Sequence, residues 1–449
     1  MPRRGQSCLH VWMNGVLVGR WHFTEASGHR FQYDQSWLDS PLCRPLSLSL
    51  PLRPARDAWQ GPVVSRFFDS LLPDSPLQRQ RLRLYFAADS ASAFDLLPHV
   101  GQDCPGAIQL TRQEAAPTPL SPAQARVLTP REIEGLLSAL RFSPMQTGEA
   151  GPLAPVTLPG SHDKTALLWH QGQWHMPQPG LLSTHILKLP LDRHEDCGLL
   201  LSGSLENAWL CQRVATAFGV PVPACELVHF GARRALVIER ADRRWHADQG
   251  VWLGVPRNDL CQAQGMSAEM KYQIHGGPSA SAMARLMLGS SDASADRLAL
   301  VRSLLVFWML CAFDGHARRF AVDLLPEGRF RLAPPLGVLS AHPLLGHGPG
   351  KLSAEQIRPA LGLSDQSPPP SWRTLDGEQW LTHARACALP REEIEQLILS
   401  LTAQALPVSA RLRKQLPPGF PVAVAEPILQ GVVHAARRLR ESLPTASAC

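Results

Sequence analysis

The 449-residue chain has few charged side chains and no long apolar run. Only 18% of its residues are charged, and its longest uninterrupted apolar stretch, Leu304 to Phe313, is well short of the roughly 20 residues that a membrane-spanning helix needs. The residues that follow Met1 also lack the apolar core of a signal peptide. The sequence therefore predicts a soluble, cytoplasmic protein that does not enter a membrane.

The ten cysteines are scattered and form neither a CxxC motif nor a cysteine-histidine cluster with the spacing of a zinc site. The 17 histidines are dispersed in the same way. We therefore expect reduced thiols, and we predict no metal site from these residues.

Length and charge narrow the class of protein further. At roughly 100 to 200 residues per domain, the chain can form two to four domains, each with its own core, which excludes a disordered or disulfide-stapled protein. The net charge of +6 is mild. It is consistent with a solvated basic surface, or with an acidic partner such as a nucleic acid, nucleotide phosphates or an acidic protein.

Strand patterns dominate the first part of the chain and helical patterns the last. Alternating residues on either side of Asn14-Gly15 predict a hairpin with a type I′ turn. Residues 112–130 are rich in Pro and Ala and predict an exposed connection. A helix is expected to end near Gly219, strands should follow, and most of the chain after Trp245 is predicted to be helical. This order predicts an α+β fold.

Two lysines stand where a phosphate could be bound. Lys188 ends a predicted strand, and Lys164 closes a polar turn, residues 158–164, that precedes another strand. Such a turn can present backbone N–H groups and a lysine to phosphate oxygens. A strand-end lysine can equally well extend into solvent, and the single glycine of the turn is a weak signal.

Two charged segments follow predicted apolar elements. Residues 239–242 connect a strand to the next part of the chain, either as the hinge of a two-lobed nucleotide enzyme or as an ordinary strand exit. Asp314 follows the apolar run and enters a turn that contains Gly315 and His316. A carboxylate in this position either ends a helix or accepts the proton of a substrate hydroxyl, with His316 ordering the loop.

Nine segments, in this order, resemble the HipA family, the Ser/Thr protein kinase toxins of HipA and HipB toxin-antitoxin modules. They are RPLSLSLPL (44–52), FFDSLLPDSP (67–76), FDLLPHVGQDCPGAIQL (94–110), DKTALL (163–168), THILKLP (184–190), IERADRRW (238–245), DLCQ (259–262), GGP (276–278) and DGHA (314–317). The resemblance covers essentially the whole chain, and the combination is specific although no single segment is.

The resemblance implies a two-lobed, protein-kinase-like fold with ATP between the lobes. It assigns residues 1–145 to an N-terminal subdomain and residues 146–242 to the rest of the β-rich N-terminal lobe, with the phosphate loop, the lysine strand and the hinge. Residues 243–449 would form the helical C-terminal lobe.

The resemblance also implies roles for individual residues. Lys188 corresponds to the lysine that holds the nucleotide phosphates, and Asp314 to the aspartate of the catalytic loop, which also contains His316. The remaining correspondences are Lys164 in the phosphate loop, Glu239, Ala241 and Asp242 in the hinge, and Thr157 at the autophosphorylated serine, with Ser161 as a second candidate acceptor.

The sequence departs from the family at both metal-binding positions. The catalytic loop of active members has the form Asp-Gly-His-x-Lys-Asn, and its asparagine is replaced here by Arg319. A second metal-binding residue, an aspartate, is replaced by Gly337. Because phosphoryl transfer depends on magnesium, these changes should impair it severely, whereas Arg319 could pair with phosphate oxygens. Asp323 is a possible substitute ligand. The Asn-Glu pair of the family's next helix is reduced to Asn207-Ala208, with Glu206 one residue earlier.

Two functions therefore remain open. The first is a pseudokinase or strongly impaired kinase that binds nucleotide and a HipB-like helix-turn-helix antitoxin, and through it operator DNA. The second is an active Ser/Thr kinase toxin that phosphorylates a translation component such as an aminoacyl-tRNA synthetase, as the family does. Such a toxin would arrest growth and induce persistence. The retained Asp314, Lys188 and Thr157 favour the second, whereas the changes at both metal-binding positions favour the first, which is the function that we predict from the sequence.

Overall fold

The computed structural model describes residues 8–141, 156–191, 201–346 and 351–444. Its first unit is an antiparallel five-stranded sheet with the strand order β4-β3-β2-β1-β5. These strands are β1 (Cys8–Met13), β2 (Val16–Thr24), β3 (Gly28–Tyr33), β4 (Trp59–Gln60) and β5 (Ile108–Thr111). Asn14 and Gly15 connect β1 to β2 with positive φ angles of 48° and 81°, as a type I′ turn requires, so the hairpin prediction is confirmed.

Four helices accompany this sheet: α1 (Gln35–Leu38), α2 (Pro62–Asp69), α3 (Pro76–Tyr85) and α4 (Ala93–Val100). Apolar side chains of the sheet, α2 and α4 form one core, in which Trp21 stacks on Phe68 with ring centroids 3.9 Å apart. Both α2 and α3 begin at a proline, which the first helical turn tolerates because its N–H groups have no intrahelical acceptor. Residues 70–75, which include Pro73, separate the two helices.

The second unit is another antiparallel sheet, with the order β7-β6-β8-β10-β9. Its strands are β6 (Lys164–His170), β7 (Gln173–His175), β8 (His185–Lys188), β9 (Cys225–Phe230) and β10 (Arg233–Glu239). Helix α5 (Pro130–Arg141) packs on this sheet. Helix α6 (Ser204–Ala217) joins β8 to β9 and ends next to Gly219, which has a φ of +77°, as expected.

Helices form most of the last part of the chain. They are α7 (Leu260–Ala263), α8 (Ala280–Leu286), α9 (Ala293–Met309), α10 (Gly377–Ala386), α11 (Arg391–Lys414) and α12 (Val422–Glu441). Helix α9 contains much of the apolar run that precedes Asp314 and lies at the centre of the largest core. The helical prediction for this region is largely confirmed.

Short strands interrupt this helical region. A hairpin pairs β11 (Arg243–His246) with β12 (Val251–Gly254), and a three-stranded sheet combines β13 (Arg257–Asp259), β14 (Ala321–Leu324) and β15 (Phe330–Leu332). Strands of three or four residues contain too few alternations to be recognised in the sequence.

The predicted boundary at residues 145 and 146 lies outside the described residues. No helix among the described residues is long and apolar enough to span a membrane.

Candidate functional site

One cleft brings together most of the residues that the sequence singled out. The N-terminal subdomain contributes Asp74 and Gly106 to its wall, the second sheet contributes Lys188, and the last part of the chain contributes Arg319 and Gly337. The other predicted residues that line it are Ser161, Lys164, Glu239, Ala241, Asp242 and His316. The loop before β5, the segment after β10 and the loop after α9 therefore meet at one place.

Asp314 lies beneath this cleft and is fully buried. Its Oδ1 accepts a hydrogen bond of 2.8 Å from the backbone N–H of Leu339, and its Oδ2 pairs with the guanidinium of Arg319. The same guanidinium donates from Nε to the backbone carbonyl of Asp314 at 3.2 Å. Both carboxylate oxygens are therefore occupied by donors from the chain itself.

Two lysines stand opposite each other on neighbouring strands beside this ion pair. Lys164 on β6 and Lys188 on β8 are partners in the antiparallel register. Burial, together with the positive charge of Arg319, lowers the pKa of Lys188 to about 8, and the charge of Asp314 opposes this shift. Burial and the charge of Lys188 also hold the pKa of Lys164 well below its usual value. This crowding of cations is the electrostatic setting in which an anionic ligand is stabilised.

Arg318, the neighbour of Arg319, belongs to a different network. Its guanidinium donates to Asp74 at 2.6 Å, to Asp259 at 2.9 Å and to the backbone carbonyl of Ser70 at 2.9 Å. Lys271 also contacts Asp74, at 3.1 Å. Burial would raise the pKa of the Asp74 carboxyl, but Arg318 and Lys271 hold it well below its usual range. Arg318 thus ties the N-terminal subdomain to the last part of the chain.

The predicted hinge adjoins a second buried network. Arg240 donates to Asp242 at 2.9 and 3.0 Å, and Arg243 donates to Asp103 at 2.6 Å. Asp242 also accepts from the backbone N–H of Gly106 at 2.7 Å. The carboxylate of Asp242 therefore fastens the N-terminal subdomain to the segment after β10, while Glu239 and Ala241 line the cleft.

The two candidate phosphorylation sites differ in exposure. Thr157 is fully buried, and its hydroxyl donates to the backbone carbonyl of Leu71 at 2.6 Å. Ser161 lines the cleft and is partly exposed. In this conformation only Ser161 lies beside the space where a phosphate would be bound.

His316 lies in the loop after Asp314 and lines the cleft with 9% of its surface exposed. Its ring meets the ring of Tyr272 edge to face, with centroids 5.0 Å apart. This contact joins the loop to the segment before α8.

The residues at the expected metal-binding positions do not fit a magnesium ion. Magnesium prefers carboxylate and other oxygen ligands, but Arg319 presents a cation there and Gly337 has no side chain. No group of three or more potential ligands occurs among the described histidines, cysteines and acidic residues. Asp323 faces Arg257, which donates to it at 2.7 Å, and Arg331 lies 4.0 Å away.

Helix α6, which follows β8, lacks the Asn-Glu pair that the resemblance to the family implies. Glu206 pairs with Arg234 of β10, and Asn207 exchanges two hydrogen bonds of 2.8 Å with the backbone of Ser340. Among the ion pairs of the described residues, none joins Lys188 to a carboxylate. Asn207 instead fixes the loop that carries Gly337 and Leu339.

Sequence reasoning missed Asp74, Lys271 and the charged network around Arg240. Asp74 lies within the family-like segment at 67–76, which was the available signal. Nothing in the sequence around Lys271 distinguishes it from a surface lysine.

Three parts of the chain enclose this cleft: the five-stranded sheet that carries Lys188, the segment after β10 and the helical lobe. Together they define a kinase-like fold. Family models agree, because the HipA N-terminal domain matches residues 9–111 and the HipA-like C-terminal domain matches residues 156–408. The second match alone spans more than half of the chain. The chain belongs to the HipA family of kinase toxins.

Three comparisons show how far the likeness extends. The protein Y4mE of Sinorhizobium fredii, which is named provisionally as a kinase, is 30% identical over 408 residues, covering 89% of this chain and 90% of its own. The Ser/Thr-protein kinase toxin HipA of Shewanella oneidensis is 27% identical over 267 residues, covering 59% of this chain and 57% of its own. A solved structure of HipA from Shewanella oneidensis, in complex with HipB and operator DNA, superposes with a TM-score of 0.77 at 21% identity, over 96% of this chain and 97% of that one.

Proposed function

We propose that this chain is a HipA-like toxin-antitoxin component whose cleft binds nucleotide phosphates without magnesium and transfers phosphate weakly or not at all. The observation that carries this proposal is the buried pair of Arg319 and Asp314. An aspartate that accepts a hydroxyl proton must lie within hydrogen-bond reach of the substrate, but Asp314 is fully buried. Here one oxygen faces the Arg319 guanidinium and the other the Leu339 N–H.

The charges of the cleft support phosphate binding. Lys164, Lys188 and Arg319 bring three basic side chains to the cleft, and Asp314 pairs only with Arg319. In an active kinase, magnesium bridges the phosphates and neutralises their charge. In this chain the fixed side-chain cations would do so, with ATP as the ligand and Glu239 and Ala241 beside its base.

The complex of the Shewanella oneidensis HipA with HipB and operator DNA supports a similar partner for this chain. We infer that a HipB-like helix-turn-helix antitoxin binds it and that DNA contact occurs through that antitoxin. Co-expression with a small helix-turn-helix protein encoded beside it should give a stable complex, and failure to co-purify would contradict the assignment.

Calorimetry with a non-hydrolysable ATP analogue tests binding. We expect the same affinity in EDTA and in excess magnesium, and weaker binding by Arg319→Asn. Arg331→Asn is the matched control, because Arg331 is exposed on β15 and does not line the cleft. Binding that requires magnesium would contradict the metal-free site.

Mass spectrometry after incubation with ATP and magnesium tests transfer. The proposal predicts no phosphate on Thr157 or Ser161, and none on a translation factor offered as substrate. A modification that Asp314→Ala abolishes would instead establish the active kinase toxin.

A further inference from the structure

The long helix α11 carries an apolar stripe on the side that faces away from the core. Leu399 and Leu406 are 40% and 67% exposed, and Ala403 and Ala410 between and after them are exposed as well. The spacing of four, three and four residues places all four side chains within about 60° of arc on the helix. The side chains that enter the core, such as Ile398 and Leu401, lie on the other side.

The stripe alternates large side chains (Leu399, Leu406) with small ones (Ala403, Ala410), so the stripes of two copies can pack against each other with each leucine facing an alanine. If two copies of α11 run antiparallel about a twofold axis between residues 404 and 405, Leu399 faces Ala410 of the second copy. Leu406 likewise faces Ala403. Each leucine then lies in the space above an alanine, which allows the close approach of about 8 to 10 Å between helix axes that packed helices need.

Charge continues this complementarity beyond the apolar residues. The first turn of α11 contains Glu392 and Glu393, followed by Glu395, and its last turn contains Arg411, Arg413 and Lys414. Arg413 already pairs with Glu426 of α12, but Lys414 is exposed. The same twofold axis places Glu395 of one copy opposite Lys414 of the other at each end of the stripe. A parallel arrangement would instead bring like charges together.

We propose that the exposed face of α11 is a self-association surface, through which two copies of this chain form an antiparallel dimer. An interface of this kind is isologous, since the same patch serves both copies. One helix pair buries less than the roughly 1,200 Å² of a stable interface. The dimer is therefore weak and forms at micromolar concentration, and it does not involve the nucleotide cleft.

Sedimentation velocity of the full-length chain, from about 1 to 300 µM, tests the proposal over the range expected for such an area. The chain should shift from monomer to dimer, and Leu406→Glu should raise the dissociation constant by at least about a hundredfold, because each dimer loses two buried leucines. Leu288→Glu is the matched control, because Leu288 is 53% exposed but lies far from α11 in the chain. It should dimerise like the parent chain.

Charge reversal tests the orientation. Glu395→Lys and Lys414→Glu should each weaken the dimer, and the two changes together should restore it. A chain that stays monomeric at all concentrations would overturn the proposal and leave the stripe to a different protein. A dimer that is indifferent to Leu406→Glu would also overturn it, and absence of rescue would exclude the antiparallel pairing.

Discussion

Removal of the Arg318 side chain should clearly lower the free energy of unfolding of this protein. Its side chain is 6% exposed and joins Asp74 of the N-terminal subdomain to Asp259 at the start of α7. Removing one partner of a buried ion pair typically costs about 3 to 5 kcal/mol, because a charge remains buried without compensation. Asp74 keeps Lys271 at 3.1 Å, and Asp259 keeps the N–H groups of Cys261 and Gln262. We therefore expect Arg318→Ala to lose about 3 kcal/mol, the lower end of that range.

Urea denaturation followed by tryptophan fluorescence measures this loss, since the chain contains 12 tryptophans. A protein of several units can unfold in more than one step, so the first transition is the one to compare. Adding Asp259→Asn to Arg318→Ala should recover part of the loss, because this change removes a carboxylate that has lost its counter-charge, whereas Asp74 keeps Lys271. Arg373→Ala is the control, since Arg373 and Glu355 form an exposed pair, and it should leave the transition unchanged. A loss below about 1 kcal/mol for Arg318→Ala, the range of a surface pair, would refute the reasoning.

Three further predictions concern the cleft and its surroundings. Without magnesium, binding of an ATP analogue should weaken as the pH rises from about 7 to 9, because Lys188 loses its charge as the pH passes its lowered pKa of about 8. Calorimetry should show a weaker dependence of affinity on pH for Lys188→Arg, and an affinity that does not change with pH in the parent chain would contradict the prediction. Thr157→Val should lower the free energy of unfolding by about 1 to 3 kcal/mol, since the carbonyl of Leu71 loses its buried donor; an unchanged urea transition would argue against that. Asp103→Asn removes the carboxylate that contacts two buried arginines, so the segment between α4 and β5 should exchange its amide hydrogens faster, and unaltered exchange there would contradict its role.

Local patterns predicted the elements of this fold that depend on few residues. Asn14-Gly15 specifies its hairpin, and Gly219 follows the end of α6, because both positions need a positive φ that few other residues adopt easily. The sheet of β13, β14 and β15 escaped prediction because its strands are short. Its absence from the sequence prediction also hid the partner of Asp323, which is Arg257 on β13.

The candidate site was predictable only in part for a similar reason. The family-like segments identified Lys188, Asp314 and Arg319 as neighbours, and the structure places them together. What the side chains contact depends on residues far away in the chain. Asp242 thus lies in the predicted hinge, but its carboxylate binds Gly106, which is 136 residues earlier.

Gln212 occupies the space beside Gly337, the position where the resemblance implies a metal-binding aspartate, and this contact predicts how hard it is to introduce that aspartate. A Cβ atom at Gly337 would lie 2.8 Å from Cγ of Gln212 and 3.0 Å from its Cδ, closer than side chains tolerate. Gln212 is not free to move without cost, because its Nε2 donates to the carbonyl of Pro223 at 2.7 Å. Arg319→Asn with Gly337→Asp should therefore restore little phosphoryl transfer, measured as autophosphorylation with magnesium. Adding Gln212→Ala should raise it further, because the new aspartate can then turn toward the cleft. If the double variant is as active as the triple one, Gln212 does not obstruct position 337.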